Sequence, residues 1–126
     1  LARHLRSASG APAPVGPYST AVEANGFVFL AGQGAIDPDG GSFPESIEEQ
    51  TRRTMENLKA VLAAVGLDFS HVIKTSIFLI DMADFAAMNA VYAQYFEADP
   101  PARTTVAVAA LPRQEMKVEI DMVAAR

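Results

Sequence analysis

The sequence predicts an α+β two-layer sandwich of order β-β-α-β-α-β-β, in which a mixed sheet carries two helices on one face. Three observations lead there. Asn25-Gly26 separates two β-prone runs, a strong short-range hairpin signal. Two later stretches, opening at Ser46 and at Asp81 or Asp84, repeat apolar residues at three- and four-residue steps, the period of a helix with one buried face. Three more β-prone runs, at 71–80, 105–110 and 117–124, follow or separate those helices, and the right-handed crossover rule makes each strand-helix-strand unit parallel.

With 126 residues, the chain suffices for one domain, 1–126, around one core. Half the residues are hydrophobic and 20% charged, a globular composition. No apolar run approaches the roughly 18 residues that a bilayer span requires, and no basic-then-apolar leader opens the chain, so a cytoplasmic protein is expected. With no cysteine there is neither a disulfide framework nor a thiol nucleophile. Two isolated histidines do not make a His-rich metal site within one chain, and neither a metal nor a cofactor is expected. Ten basic against fifteen acidic residues leave a net charge of -5, which repels a phosphate backbone, and no basic run offsets it. Neither nucleic acid nor a membrane is an expected partner.

Along the chain, Arg3-His4-Leu5-Arg6 carries only a weak edge-strand signal. Residues 10–18 hold three prolines and two glycines, which implies an ordered arm rather than a regular element. Tyr18 at its end is either a pocket wall or an anchor of that arm. The hairpin flanks are 19–23 and 27–32. Phe27-Val28-Phe29-Leu30-Ala31 is apolar on both strand faces, so this strand is expected to be covered twice, by helices on one side and by a partner subunit on the other. Gly32-Gln33-Gly34 ends it. A turn at 36–41 follows instead of a helix, which rules out a nucleotide fingerprint and leaves either exposed main-chain groups for a pocket or a tight turn.

Ser46 with Glu49 forms a capping-box pattern for the first helix, and Gly66 is placed to end it. Ile47, Thr51, Thr54, Leu58, Val61, Leu62 and Val65 mark its buried face; Arg52, Arg53 and Lys59, interleaved with acids, mark a solvated one. His71 opens the next strand with no partner in sequence and reads as a surface or cap residue. The second helix runs to about Phe96 with Phe85, Met88, Val91, Tyr92 and Tyr95 buried, and Asn89 on the flank of that stripe is placed to hydrogen-bond a neighbouring loop.

Residues 100–112 present one cation, Arg103, at the mouth of an uncharged strand. A guanidinium beside small side chains suits a planar carboxylate, and an ordinary surface ion pair fits the stretch as well. The last strand alternates Val118, Ile120 and Met122 against Glu119 and Asp121, whose carboxylates share one face about 7 Å apart. Arg103 and Glu119 are expected together on the second face of the sheet, joined by pairing of the last two strands or by an oligomer. There the arginine could neutralise a substrate carboxylate while the glutamate held a water, or the two could pair with each other across an interface.

The ordered blocks Ala13-Pro14-Val15-Gly16-Pro17-Tyr18-Ser19, Ala31-Gly32-Gln33, Glu49-Gln50-Thr51, Glu56-Asn57-Leu58, Asn89 with Tyr92, Pro101-Ala102-Arg103-Thr104-Thr105 and Val118-Glu119-Ile120 span nearly the whole chain. In them the chain resembles the reactive-intermediate (enamine/imine) deaminase family, also called the YjgF/YER057c/UK114 family. The resemblance implies a chorismate-mutase-like fold and a homotrimer with clefts between subunits. It implies that Arg103 binds a substrate carboxylate, that Glu119 and the main-chain carbonyl of Thr105 hold the attacking water, and that Tyr18, Ala31, Gly32, Gln33 and Asn89 belong to the pocket. The implied reaction is hydrolysis of 2-enamine or 2-imine acids of the 2-aminoacrylate or 2-aminocrotonate type to 2-oxo acids and ammonia, with no cofactor. The chain departs from many family members at Ala31, where they have serine, and at Thr105, where they have cysteine. Other roles found among relatives are ribonuclease activity, chaperone-like behaviour, small-ligand-sensing regulation and deamination of ring-opened aromatics.

Overall fold

A computed structural model describes residues 1–126. The elements run β1 (Arg3–Leu5), β2 (Ala21–Ala24), β3 (Phe27–Gln33), α1 (Ile47–Ala64), β4 (Val72–Leu79), α2 (Phe85–Tyr92), β5 (Ala102–Ala107) and β6 (Val118–Ala125). This is the expected order with one short strand added in front: β1 pairs antiparallel with β2 as the outermost strand.

The β2–β3 hairpin closes on Asn25 (φ 54°) and Gly26 (φ 80°), two consecutive left-handed residues of the kind a two-residue hairpin turn demands. Helix α1 starts at Ser46, whose side chain accepts from the Glu49 N–H at 3.1 Å. Only this half of the capping box forms, because the Glu49 carboxylate turns outward to Arg52. At the far end Gly66 (φ 77°) donates to Ala63 O and Leu67 N–H to Leu62 O, a glycine-based cap that satisfies two terminal carbonyls. Helix α2 is shorter than its periodicity predicts. Tight turns at Met82–Asp84 and Ala93–Tyr95 flank it, and Asp81 rather than Asp84 caps the segment, accepting from Ala83 N–H.

The six strands lie in the order β1-β2-β3-β6-β4-β5. The two crossovers are right in direction but differ in contact. β4 and β5, joined through α2, pair in parallel. β3 and β4, joined through α1, also run the same way, yet β6 inserts between them antiparallel to both. The last two strands therefore do not pair, contrary to one of the two arrangements expected for Arg103 and Glu119.

Helices α1 and α2 cover one face. Beneath them Val28, Leu30, Ile77, Leu79, Val118, Ile120 and Met122 meet Met55, Leu58, Val61, Leu62 and Met88 in a core excluded from water. The other face is bare in the single chain, with Phe27 42%, Phe29 50% and Val106 40% exposed. Phe27 and Phe29 alternate with buried Val28 and Leu30, so the two-faced apolar strand read from the sequence has one face covered and one open. No helix is long and apolar enough to cross a membrane.

Candidate active site

The structure sorts the expected site residues into two clusters. The first surrounds Glu119. Tyr18, Gly32, Gln33 and Glu119 line one cavity of about 60 Å³, together with Pro14 of the N-terminal arm and Arg113 of the β5–β6 connector. Tyr18 closes the arm on itself: its hydroxyl accepts from the Val15 N–H at 3.3 Å, so it acts both as arm anchor and as pocket wall.

Glu119 reaches this cavity because β3 bulges beneath it. Leu30 pairs with Met122 and Gln33 with Ile120, so three steps along β3 match two along β6, and the extra residue falls at Ala31-Gly32. The Glu119 carboxylate packs against Gly32, where a Cβ would stand 3.0 Å from its Cδ and closer still to Oε2. Only glycine leaves that room. Ala31 lies within the bulge, donating its N–H to Thr20 O at 2.9 Å, but its side chain does not line the cavity. Burial, and secondarily the charge of Asp121 on the same strand face, push the Glu119 carboxyl above its ordinary range.

Two buried amides of α1 hold the walls, and sequence reasoning had not singled them out as functional. Asn57 Nδ2 donates to the carbonyls of Gly34 and Ile36, both at 2.9 Å. Gln50 Nε2 donates to Pro44 O and Glu115 O while its Oε1 accepts from Lys117 N–H. These bonds pin the segment that follows β3 and the connector that enters β6. Both amides stand in motif blocks of the resemblance, but helical spacing alone does not tell a buried amide from a solvated one.

The second cluster surrounds Arg103, which lies on the opposite face from the one expected. Arg103 is the register partner of Thr75, a fully buried residue that faces the helices, whereas Glu119 pairs with Phe78 on the open face. Two α2 rings receive the guanidinium: its carbon lies 5.1 Å from the Tyr92 centroid and 5.6 Å from that of Phe85. Phe85, expected in the core, is instead 37% exposed and stands over the arginine. No carboxylate of the chain pairs with Arg103.

Asn89 shares an α2 face with Phe85 and Tyr92 at i, i+4 and i+7, so it stands between the two rings that touch Arg103. Thr105 follows Arg103 by two residues on the same strand face. Asn89 Oδ1 and Thr105 Oγ1 are both buried with no hydrogen-bond partner. The loop contact expected of Asn89 is not made. An unpaired cation and two orphaned polar atoms thus stand side by side, a composition that a small polar ligand would satisfy.

β5 is also a free edge. Val108 N–H donates to Leu79 O at 2.8 Å. In a parallel ladder that bond turns the main-chain groups of 104, 106 and 108 toward β4 and those of Arg103, Thr105 and Ala107 outward. The Thr105 carbonyl is therefore offered to whatever lies beyond the edge. No group of three or more His, Cys, Asp or Glu side chains is placed to hold a metal ion.

The family model described as Endoribonuclease L-PSP matches residues 8–126. The chain belongs to that family. It is the family of the reactive-intermediate deaminases that the motif blocks resemble. Among L-PSP family relatives, Protein DfrA of Myxococcus xanthus is 51% identical, over 98% of this chain and 96% of that protein. The Mus musculus protein named 2-iminobutanoate/2-iminopropanoate deaminase is 40% identical, over 98% of this chain and 92% of its own. Among solved family structures, that of E. coli TdcF with bound serine superposes with a TM-score of 0.92 at 37% identity, covering 98% of this chain and 99% of that one.

Proposed function

We propose that the chain hydrolyses 2-enamine and 2-imine carboxylic acids to 2-oxo acids and ammonia, without metal or cofactor, in a cleft between two copies of a homotrimer. The observation that carries this reading is the unpaired Arg103 guanidinium beside a strand edge that presents the Thr105 carbonyl. Arg103 and Glu119 leave the sheet on opposite faces with β4 between their strands, so one chain cannot close both around one small molecule. A second copy, brought to the free edge of β5, can supply the Glu119 cavity. The exposed Phe27, Phe29 and Val106 give such copies an apolar surface to bury. The names of the mouse relative and of the serine-bound E. coli structure support a small amino-acid-derived substrate.

The chemistry follows from the groups. An enamine first tautomerises to the imine, C3 gaining a proton from solvent as the nitrogen gives one up. Arg103 then holds the carboxylate by paired N–H donors, which also withdraws electron density from C2. Glu119 and the Thr105 carbonyl hold a water, and Glu119 takes a proton from it as the oxygen bonds to C2. The C=N bond becomes a single bond in the resulting carbinolamine. Glu119 returns that proton to the nitrogen, then takes the proton of the new hydroxyl and passes it to the same nitrogen; the C–N bond breaks as the 2-oxo group forms, and ammonia leaves carrying both protons. Burial of Glu119 suits it to both steps, because a carboxyl with a raised pKa both accepts and gives up a proton readily. Tyr18, Gly32 and Gln33 wall the Glu119 side, Asn89 the arginine side.

The test is a coupled assay in which a dehydratase generates 2-aminoacrylate or 2-aminocrotonate and the decay of the imine is followed. The wild-type chain accelerates that decay and Arg103→Ala does not. Equal acceleration by both would remove the carboxylate clamp from the mechanism.

A further inference from the structure

We propose that Thr75 and Tyr92 are positioning residues of the arginine cluster: a buried pair of hydroxyls fixes the ring on which the Arg103 guanidinium rests. This rests on the reading of Arg103 as the carboxylate clamp. Thr75 on β4 is the register partner of Arg103 on β5, so both side chains rise from the sheet toward α2 at one level. Thr75 is fully buried, and its Oγ1 lies 2.8 Å from the Tyr92 hydroxyl, a bond that crosses from sheet to helix beside the arginine. The Tyr92 ring also meets Phe96 at 4.9 Å between centroids, so the ring is held by its hydroxyl and by a second aromatic. Burial raises the Tyr92 phenol above its ordinary range, which keeps it a neutral hydroxyl at neutral pH.

The arrangement solves a particular problem. A clamp must be held still and yet keep its donors free. An internal carboxylate would immobilise Arg103 but occupy the fork that the substrate needs. Aromatic rings engage the flat face of a guanidinium while its N–H donors radiate in the plane, so Tyr92 and Phe85 hold the group without consuming a hydrogen bond. The Tyr92 ring can do so only if its own tilt is fixed, and the Thr75 hydroxyl fixes it. Small loosening of a binding group is felt first in substrate affinity, since the groups that carry out the proton transfers lie on the other cluster.

Tyr92→Phe keeps the ring and removes the hydroxyl; Thr75→Val keeps the shape and removes the other partner. Each is measured for binding of 2-oxobutanoate by calorimetry, for KM and kcat in the imine assay, and for Tm. The expected result is that each variant weakens 2-oxobutanoate binding and raises KM by about 5- to 10-fold with kcat changed by less than about twofold. The double variant should be no worse than either single one, because both remove the same bond. Thr75→Ser, which restores a hydroxyl, should recover the binding constant. A lowered Tm with unchanged 2-oxobutanoate binding and KM would show that the two hydroxyls serve the core alone, and the inference would fall. Arg103→Ala, run with the same probe, separates the two layers. If it leaves 2-oxobutanoate binding intact, the clamp fails and this inference with it. If it abolishes binding while Tyr92→Phe and Thr75→Val do not alter it, only the positioning role fails. Should Thr75→Val not fold, Tyr92→Phe decides the question by itself.

Discussion

The carboxylate of Glu119 packs against the bare Cα of Gly32, at the point where β3 carries one residue more than β6. Position 32 and the glutamate therefore compete for the same volume. Gly32→Ala is expected to fold, because the obstructing atoms are the end of a side chain that can swing away. It should lower kcat by about 10- to 100-fold, the penalty for misplacing a reacting group by roughly 1 Å. Steady-state kinetics with Tm measured in parallel checks this; full activity would mean that the carboxylate position is not critical.

Glu119 sets a pH dependence with a definite sign. Its folded-state pKa lies above its unfolded value through burial and then through Asp121, so the folded chain holds the proton more tightly. That contribution to stability is fully present below the unfolded value and is lost as pH rises through the folded one. Glu119→Gln should accordingly raise Tm at pH 7 relative to wild type while lowering kcat by about 10²- to 10⁴-fold, with carboxylate binding less affected. Asp121→Asn removes a repelling charge and should move the acid limb of the kcat profile to lower pH. A limb that stays in place would identify another group as the base.

The open sheet face has its own test. Phe29 is half exposed in the single chain and lies on the face proposed to meet other copies. Phe29→Asp would place a charge in that contact, so the species in solution should fall from three chains to one by light scattering and activity should disappear with it. A wild-type chain that is itself a monomer would overturn the intersubunit site.

Although the family carries a ribonuclease description, the charge balance argues for a different outcome with this chain. At a net charge of -5 and with basic residues interleaved with acids, purified protein should leave single-stranded RNA intact. Cleavage that vanishes in Glu119→Gln or Arg103→Ala would be the contrary result.

What the sequence makes legible is local. Asn25-Gly26, Ser46, Gly66 and the apolar periodicities specify turns, caps and helix faces within a few residues; the hairpin turn and the caps and buried face of α1 form as read, whereas α2 is shorter than its period predicts. The insertion of β6 between β3 and β4 is a pairing between segments far apart in the chain, and no spacing encodes it. The side chosen by Arg103 is hidden for a related reason. Apart from Arg103 itself, residues 102–107 are small or β-branched on both faces, so alternation gives no sense of which face meets the helices. Phe85 misleads in the opposite way, since an aromatic residue at helical spacing looks like core until an arginine is found beneath it. Gln50 and Asn57 are silent because their buried state depends on loops that arrive from elsewhere.

The opposite facing of Arg103 and Glu119 has a genetic corollary. A chain lacking the arginine still carries an intact glutamate cavity, and a chain lacking the glutamate still carries an intact arginine cluster. In the proposed homotrimer, two such defective alleles expressed in one cell would co-assemble, and some of their junctions would join the surviving half of one product to the surviving half of the other. Neither allele alone would support the reaction, yet the pair would complement.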